Sequence, residues 1–221
     1  MKNALPIVQP AVMADEWVLL MASITRVDFA SHIQIDVMDG ILVPSTSFPY
    51  NETNLEGRKL PEGVDFEAHL MVVNPEAMGI AFIQAGCRRI TAQLEGFGTG
   101  IVDVIQRWRI AGAEAVGISI MLDTPLTHID ELIPHIDSLQ IMSIASIGYQ
   151  GHAFDERALI RIRELSKRYP DVIIAVDGGV NESNIHLVTA AGADVIGVGS
   201  ALMRTDNPKE TYTHLCSLMN T

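Results

Sequence analysis

Three runs in this sequence carry ionisable side chains inside apolar stretches: Gln34-Ile35-Asp36-Val37-Met38-Asp39-Gly40, Glu67-Ala68-His69-Leu70-Met71 and Ala175-Val176-Asp177-Gly178-Gly179. In a strand, side chains two apart share a face, so Gln34, Asp36 and Met38 point the same way. A carboxylate on a buried face is costly unless it is paired, holds a metal or does chemistry. Asp36, inside the apolar run, is therefore a candidate catalytic or metal-binding residue. Asp39, next to Gly40, fits a turn cap equally well. A single histidine in a strand reads first as a hydrogen-bonded core residue. With Asp36 on a neighbouring strand, His69 reads as a ligand. Asp177 before two glycines is either an Asx turn or a place where backbone approaches a ligand closely.

Glycines recur at three further points: Gly148-Tyr149-Gln150-Gly151-His152, Gly178-Gly179 and Gly199-Ser200. Each follows an apolar run, and a short helix is expected to begin at Ser200. Loops after the seventh and eighth strands, with a short extra helix, are the usual phosphate site of an eight-stranded α/β barrel. Gly148, Gly151, Gly178, Gly179, Gly199 and Ser200 are thus candidate phosphate-binding or substrate-binding residues, with His152 a candidate for the same mouth. The net charge is −12 and the pI about 4.9. An anionic ligand is repelled at long range, so a phosphate would rely on local backbone N–H groups and helix N-termini. The same acidity argues against a nucleic-acid surface, which needs a basic stripe, and against a polybasic membrane patch.

The elements that must position these residues follow from turn spacing. Ala85-Gly86-Cys87, Ala111-Gly112-Ala113 and Ala191-Gly192-Ala193 each close a helical pattern and open a β-branched run. Glycine suits a helix C-terminus because it accepts positive φ. Gly86 and Gly112 are 26 residues apart (112 − 86), and 221 residues divided by eight is about 28. Strand and helix alternating at that period imply a parallel sheet with crossover helices. The expected fold class is α/β, a (β/α)8 TIM barrel forming a single domain over 1–221; a doubly wound open sheet is the alternative. The predicted strands are 7–13, 33–37, 66–72, 89–94, 115–121, 138–144, 172–176 and 195–198. A helix is expected over 155–169, and Asn181 is the expected N-cap of the next. The polar, proline-bounded stretch 44–61 reads as a long loop over the barrel mouth, a candidate lid. Apolar residues at 48% supply a core. No apolar run reaches the roughly 18–20 residues of a membrane span, and Met1–Pro6 lacks a signal-peptide core. Cys87 and Cys216 form no metal-binding or C-x-x-C spacing and read as reduced thiols, Cys87 buried. The expected location is cytoplasmic.

Asp36-Val37-Met38-Asp39-Gly40 followed by Val43-Pro44, His69-Leu70-Met71-Val72 with Pro75-Glu76, Val176-Asp177-Gly178-Gly179-Val180 and Gly199-Ser200-Ala201 together resemble the ribulose-phosphate 3-epimerases. The order and spacing match over nearly the whole chain. That resemblance implies interconversion of D-ribulose 5-phosphate and D-xylulose 5-phosphate. It makes Asp36 and Asp177 an acid/base pair on opposite faces of the sugar. It also implies a divalent metal (Zn, Mn or Fe), for which Asp36, His69 and Asp177 are the ligands present, and a homo-oligomer. The chain departs from the family pattern at several points. Gln34 stands where the other metal histidine is expected, Ala11 where a strand-1 serine is expected, and Gln93 where a strand-4 histidine is typical. The loop after strand 6, 146–152, is one residue longer than usual. Two other readings fit: an epimerase or lyase acting on another phosphosugar such as a hexulose phosphate, and a non-catalytic sugar-phosphate binder. The lyases and decarboxylases of related barrels pair a lysine with aspartates near strand 2, and here Met38 stands between Asp36 and Asp39 with no lysine nearby.

Overall fold

The computed structural model describes residues 6–52, 55–149 and 151–219. Met1–Leu5, Thr53, Asn54, Gln150, Asn220 and Thr221 lie outside them, so the readings of the N-terminus, of the centre of 44–61 and of one residue of the strand-6 loop are only partly covered. Eight parallel strands close into a barrel in chain order: β1 (Ile7–Val12), β2 (His32–Met38), β3 (Asp65–Met71), β4 (Arg89–Gln93), β5 (Ala115–Ile120), β6 (Ser138–Met142), β7 (Ile173–Asp177) and β8 (Val195–Val198). β1 pairs with β8, with Ile7 opposite Val195. The (β/α)8 expectation is borne out, the open sheet is not, and strand bounds shift by two residues at most.

Around the barrel run α1 (Trp17–Arg26), α2 (Glu76–Ala85), α3 (Ile101–Ala111), α4 (Thr127–Asp130), α5 (Arg157–Arg168), α6 (Ile185–Ala191), α7 (Ser200–Met203) and α8 (Pro208–Leu218). The three Ala-Gly junctions end α2, α3 and α6, with Gly86, Gly112 and Gly192 at φ of 120°, 114° and 107°. No L-residue with a Cβ adopts these angles readily, so the glycine repeat marks helix ends for a steric reason. α2 and α3 pack through Gly79, where the Trp108 ring lies so close that a Cβ would overlap it. The Trp108 indole N–H donates to Glu76 O at 3.0 Å, which anchors the buried ring.

Alternation sorts the strand residues. Ile33, Ile35 and Val37, Phe66, Ala68 and Leu70, and Ile118 and Ile120 belong to the apolar layer between strands and helices. The intervening positions are Gln34, Asp36, Glu67, His69, Thr91, Gln93, Ser119 and Gln140, all buried and polar. A barrel of this class usually fills its interior with branched aliphatic side chains. Here polar side chains occupy it, and some pair with one another, as where Gln9 Nε2 donates to Glu67 Oε2 at 3.3 Å.

Three expectations need correction. Among the described residues no helix joins β2 to β3. Prolines at 44, 49 and 61 break any helical period, and Phe48, Leu55 and Leu60 fill the space as buried loop residues. Nor do the described residues of this stretch line the cavity at the barrel mouth, as a lid would. Leu60 N–H donates to Ala85 O at 2.8 Å and Lys59 Nζ to Gln84 O at 2.6 Å, which tie it to the flank of α2. Leu42 and Val43, just before this stretch, join Met38 and Met71 in a small apolar cluster with Met13 and Ile147. Finally, Asn181 does not cap α6. Its side-chain oxygen accepts from Ser183 N–H at 2.9 Å in an Asx turn, and the helix starts at Ile185.

Candidate active site

Asp36 and His69 lie directly opposite one another across β2 and β3. Barrel closure brings in Asp177 from the end of β7. His69 Nδ1 stands 3.4 Å from Asp36 Oδ1 and 3.3 Å from Asp177 Oδ2. Gln34, two residues before Asp36 on the same strand face, donates through Nε2 to Asp36 Oδ1 at 2.7 Å and to Asp177 Oδ2 at 2.8 Å. Gln140 Nε2 lies 3.2 Å from His69 Nδ1. His69 is completely buried and Gln34 nearly so, at 0% and 1% exposure, while the two carboxylates keep a small opening to the mouth.

Burial and the adjacent Asp177 carboxylate push the Asp36 pKa up, against the pull of its hydrogen bonds to His69 and Gln34. For His69, burial alone would lower the pKa. Hydrogen bonds and charge from Asp177 and Asp36 outweigh it and raise the value to about 10. The two carboxylates beside it thus favour the protonated imidazole. Perturbed ionisable groups clustered at a cavity mark a candidate site for proton transfer or ligation. Ligand atoms of Asp36, His69 and Asp177 all lie within 4.8 Å of one another, so this cluster could hold a metal ion. Two carboxylates and an imidazole are a donor set that suits a divalent transition metal.

The glycines and Ser200 singled out in the sequence line the cavity into which Asp36 and Asp177 open: Gly148, Gly151, Gly178, Gly179, Gly199 and Ser200. α7 begins at Ser200 as expected. Gly179 is required by space, since a Cβ there would come within 2.5 Å of Phe154 N, and its φ is +70°. Ala11 also lines the cavity, so no hydroxyl projects from β1 at that point. Met13, Met38, Met71 and Met142 complete the wall with thioethers that donate no hydrogen bond.

Other candidates separate from the site. Asp39 is a structural turn residue: Oδ1 accepts from Ile41 and Leu42 N–H at 2.8 Å, and Oδ2 accepts from Val73 N–H at 2.7 Å. Gln93 donates to Glu95 Oε2 at 2.6 Å and does not line the cavity. His152 does line it. Two residues near the site went unnoticed in the sequence. Gln140 is signalled only by its inward position two before Met142 on β6. Arg204 leaves the end of α7 and lays its guanidinium over Gly151, where a Cβ would meet Nη2 at 2.9 Å.

A model of the ribulose-phosphate 3-epimerase family matches residues 7–203. The ribulose-phosphate 3-epimerase of Mycobacterium tuberculosis is 31% identical over 209 residues, covering 92% of this chain and 88% of the relative. That of Aquifex aeolicus is 32% identical over 216 residues, covering 95% of each. This chain belongs to the ribulose-phosphate 3-epimerase family. Solved structures with the same barrel include KGPDC from Streptococcus mutans, at a TM-score of 0.71 and 13% identity over 98% of each chain. Another is 3-hexulose-6-phosphate synthase from Salmonella typhimurium, at 0.64 and 17% over 97% of this chain and 98% of that one. At these identities the two show the fold alone. Family membership makes the expected enzyme class, a carbohydrate epimerase among the isomerases, the class to which this epimerase chain is assigned.

Proposed function

We propose that the protein interconverts D-ribulose 5-phosphate and D-xylulose 5-phosphate, with Asp36 and Asp177 as the two acid/base groups. The observation that carries this reading is the pair of carboxylates at one cavity mouth, joined through a single amide nitrogen at 2.7 and 2.8 Å. Inverting the carbon beside a ketone needs a proton removed from one face and another delivered to the opposite face. Asp36 on β2 and Asp177 on β7 reach the cavity from different walls, which suits them to opposite faces of a sugar between them. The raised pKa of Asp36 matches a group that must both take and return a proton. The four methionines exclude water without offering a competing proton.

The substrate phosphate is assigned to Gly148, Gly151, Gly178, Gly179, Gly199 and Ser200, where the glycines let backbone N–H groups approach it and Ser200 adds a hydroxyl at the start of α7. Asp36, His69 and Asp177 would hold a divalent ion, Zn, Mn or Fe. Such an ion supplies Lewis-acid polarisation of the carbonyl oxygen, worth several kcal/mol in the transition state. We also place the protein in the cytoplasm as a homo-oligomer and a single domain. No helix among the described residues is long and apolar enough to cross a membrane.

The test is turnover of ribulose 5-phosphate in D2O, with and without added Zn2+, Mn2+ or Fe2+, followed by NMR. Epimerisation should proceed with deuterium entering at C3. Asp36→Asn and Asp177→Asn should each lower kcat by about 10²–10⁴-fold while leaving the circular dichroism spectrum unchanged. A wild-type protein that turns over no pentose phosphate under any metal condition sinks the proposal.

A further inference from the structure

The Gln34 carboxamide occupies the point at which the three prospective metal ligands converge. Its nitrogen is 2.7 Å from Asp36 Oδ1, 2.8 Å from Asp177 Oδ2 and 3.5 Å from His69 Nδ1. A primary amide nitrogen carries two N–H groups, and the geometry aims one at each carboxylate. The residue is 1% exposed, so water offers no substitute donor at that point. An ion arriving among Asp36, His69 and Asp177 finds a hydrogen-bond donor where a fourth ligand would stand. It has to break two charge-assisted hydrogen bonds. In return it gains at best the amide oxygen, a poorer ligand for zinc or iron than an imidazole.

We propose that Gln34 is an internal, non-metal occupant of this centre: its amide holds the two carboxylates together in the metal-free protein, and a divalent ion binds only by displacing it. The proposal rests on reading Asp36, His69 and Asp177 as the metal ligands. It gives Gln34 a positioning role in place of that of a missing ligand. The resting site is then ordered without a metal, and ion binding is weak and exchangeable.

The experiment compares wild type, Gln34→His and Gln34→Leu, each dialysed against EDTA, by metal content and by thermal midpoint with and without Zn2+ or Mn2+. No readout depends on turnover, so failure of the epimerase assignment and failure of this one are separable. Wild type should lose its metal to EDTA with no change in midpoint. Gln34→His should hold one ion per chain with an affinity higher by about 10–100-fold, the scale on which residues supporting a metal site act, and should be destabilised by EDTA. Metal-free Gln34→Leu, with two carboxylates left without their donor, should melt below metal-free wild type and recover on addition of Mn2+. Retention of one ion per chain by wild type through EDTA treatment overturns the proposal, and that arm decides alone if a variant fails to fold. A metal-free Gln34→Leu as stable as metal-free wild type overturns it as well.

Discussion

The candidate site at the barrel mouth is governed by which charges share a small volume. Asp36 and Asp177 would repel each other if nothing stood between them. His69 and Gln34 supply the donors that let both remain near one cavity. The Asp36 carboxyl consequently ionises above its ordinary value of 3.8, because burial and the Asp177 charge disfavour its anion. A base works only as the carboxylate. The epimerisation rate should therefore fall as pH drops through a limb lying above the ordinary carboxylate range of about 4. A pH profile of kcat/KM checks this, and full activity down to that ordinary range would show that Asp36 is not the titrating base. At this scale Asp36 and His69 were legible in sequence, because an ionisable residue in a buried strand has few bland explanations. The Gln34 amide was legible only as a departure from a family pattern. Its contact with Asp177 spans 143 residues, and no local spacing encodes it.

The strands and helices hold these groups through close packing of the outer layer. The α2–α3 pair shows how little slack it has, since the Trp108 ring closes over Gly79 and no larger residue fits there. Gly79→Ala should destabilise the protein by about 1–3 kcal/mol through overpacking, read in urea denaturation, with KM for the sugar phosphate unchanged because α2 and α3 do not line the cavity. Unaltered stability would mean that the helices separate freely at this contact. The elements themselves were well marked in the sequence, since parallel strands buried on both faces read as short apolar runs and helix ends as Ala-Gly pairs. The loop after β2 was misread because polarity and prolines show that a stretch is not a helix. They do not show which surface it covers. Its hydrogen bonds to α2 settle that.

At the scale of the whole molecule, a net charge of −12 surrounds a cavity proposed to admit a phosphorylated sugar. Long-range repulsion should slow entry at low ionic strength. Raising salt from about 0.01 M to 0.15 M shortens the Debye length from about 30 Å to about 8 Å, so kcat/KM should rise over that interval in steady-state assays. A fall would instead show that the local positive potential at the mouth, to which the Arg204 guanidinium over Gly151 contributes, outweighs the overall charge.

The sequence by itself determined the barrel, the strand ends that carry the candidate site residues and the glycine-rich turns that meet at the cavity. Each of these follows from local rules: residue size, φ range and the period of apolar positions. Only the tertiary structure decided how the interior is wired. Closing the sheet sets β7 across the barrel from β2, and Asp177 reaches an amide on the other side. That contact joins residues far apart in the chain through side chains whose orientation depends on barrel closure, so pattern along the chain names the participants and leaves their partners undetermined.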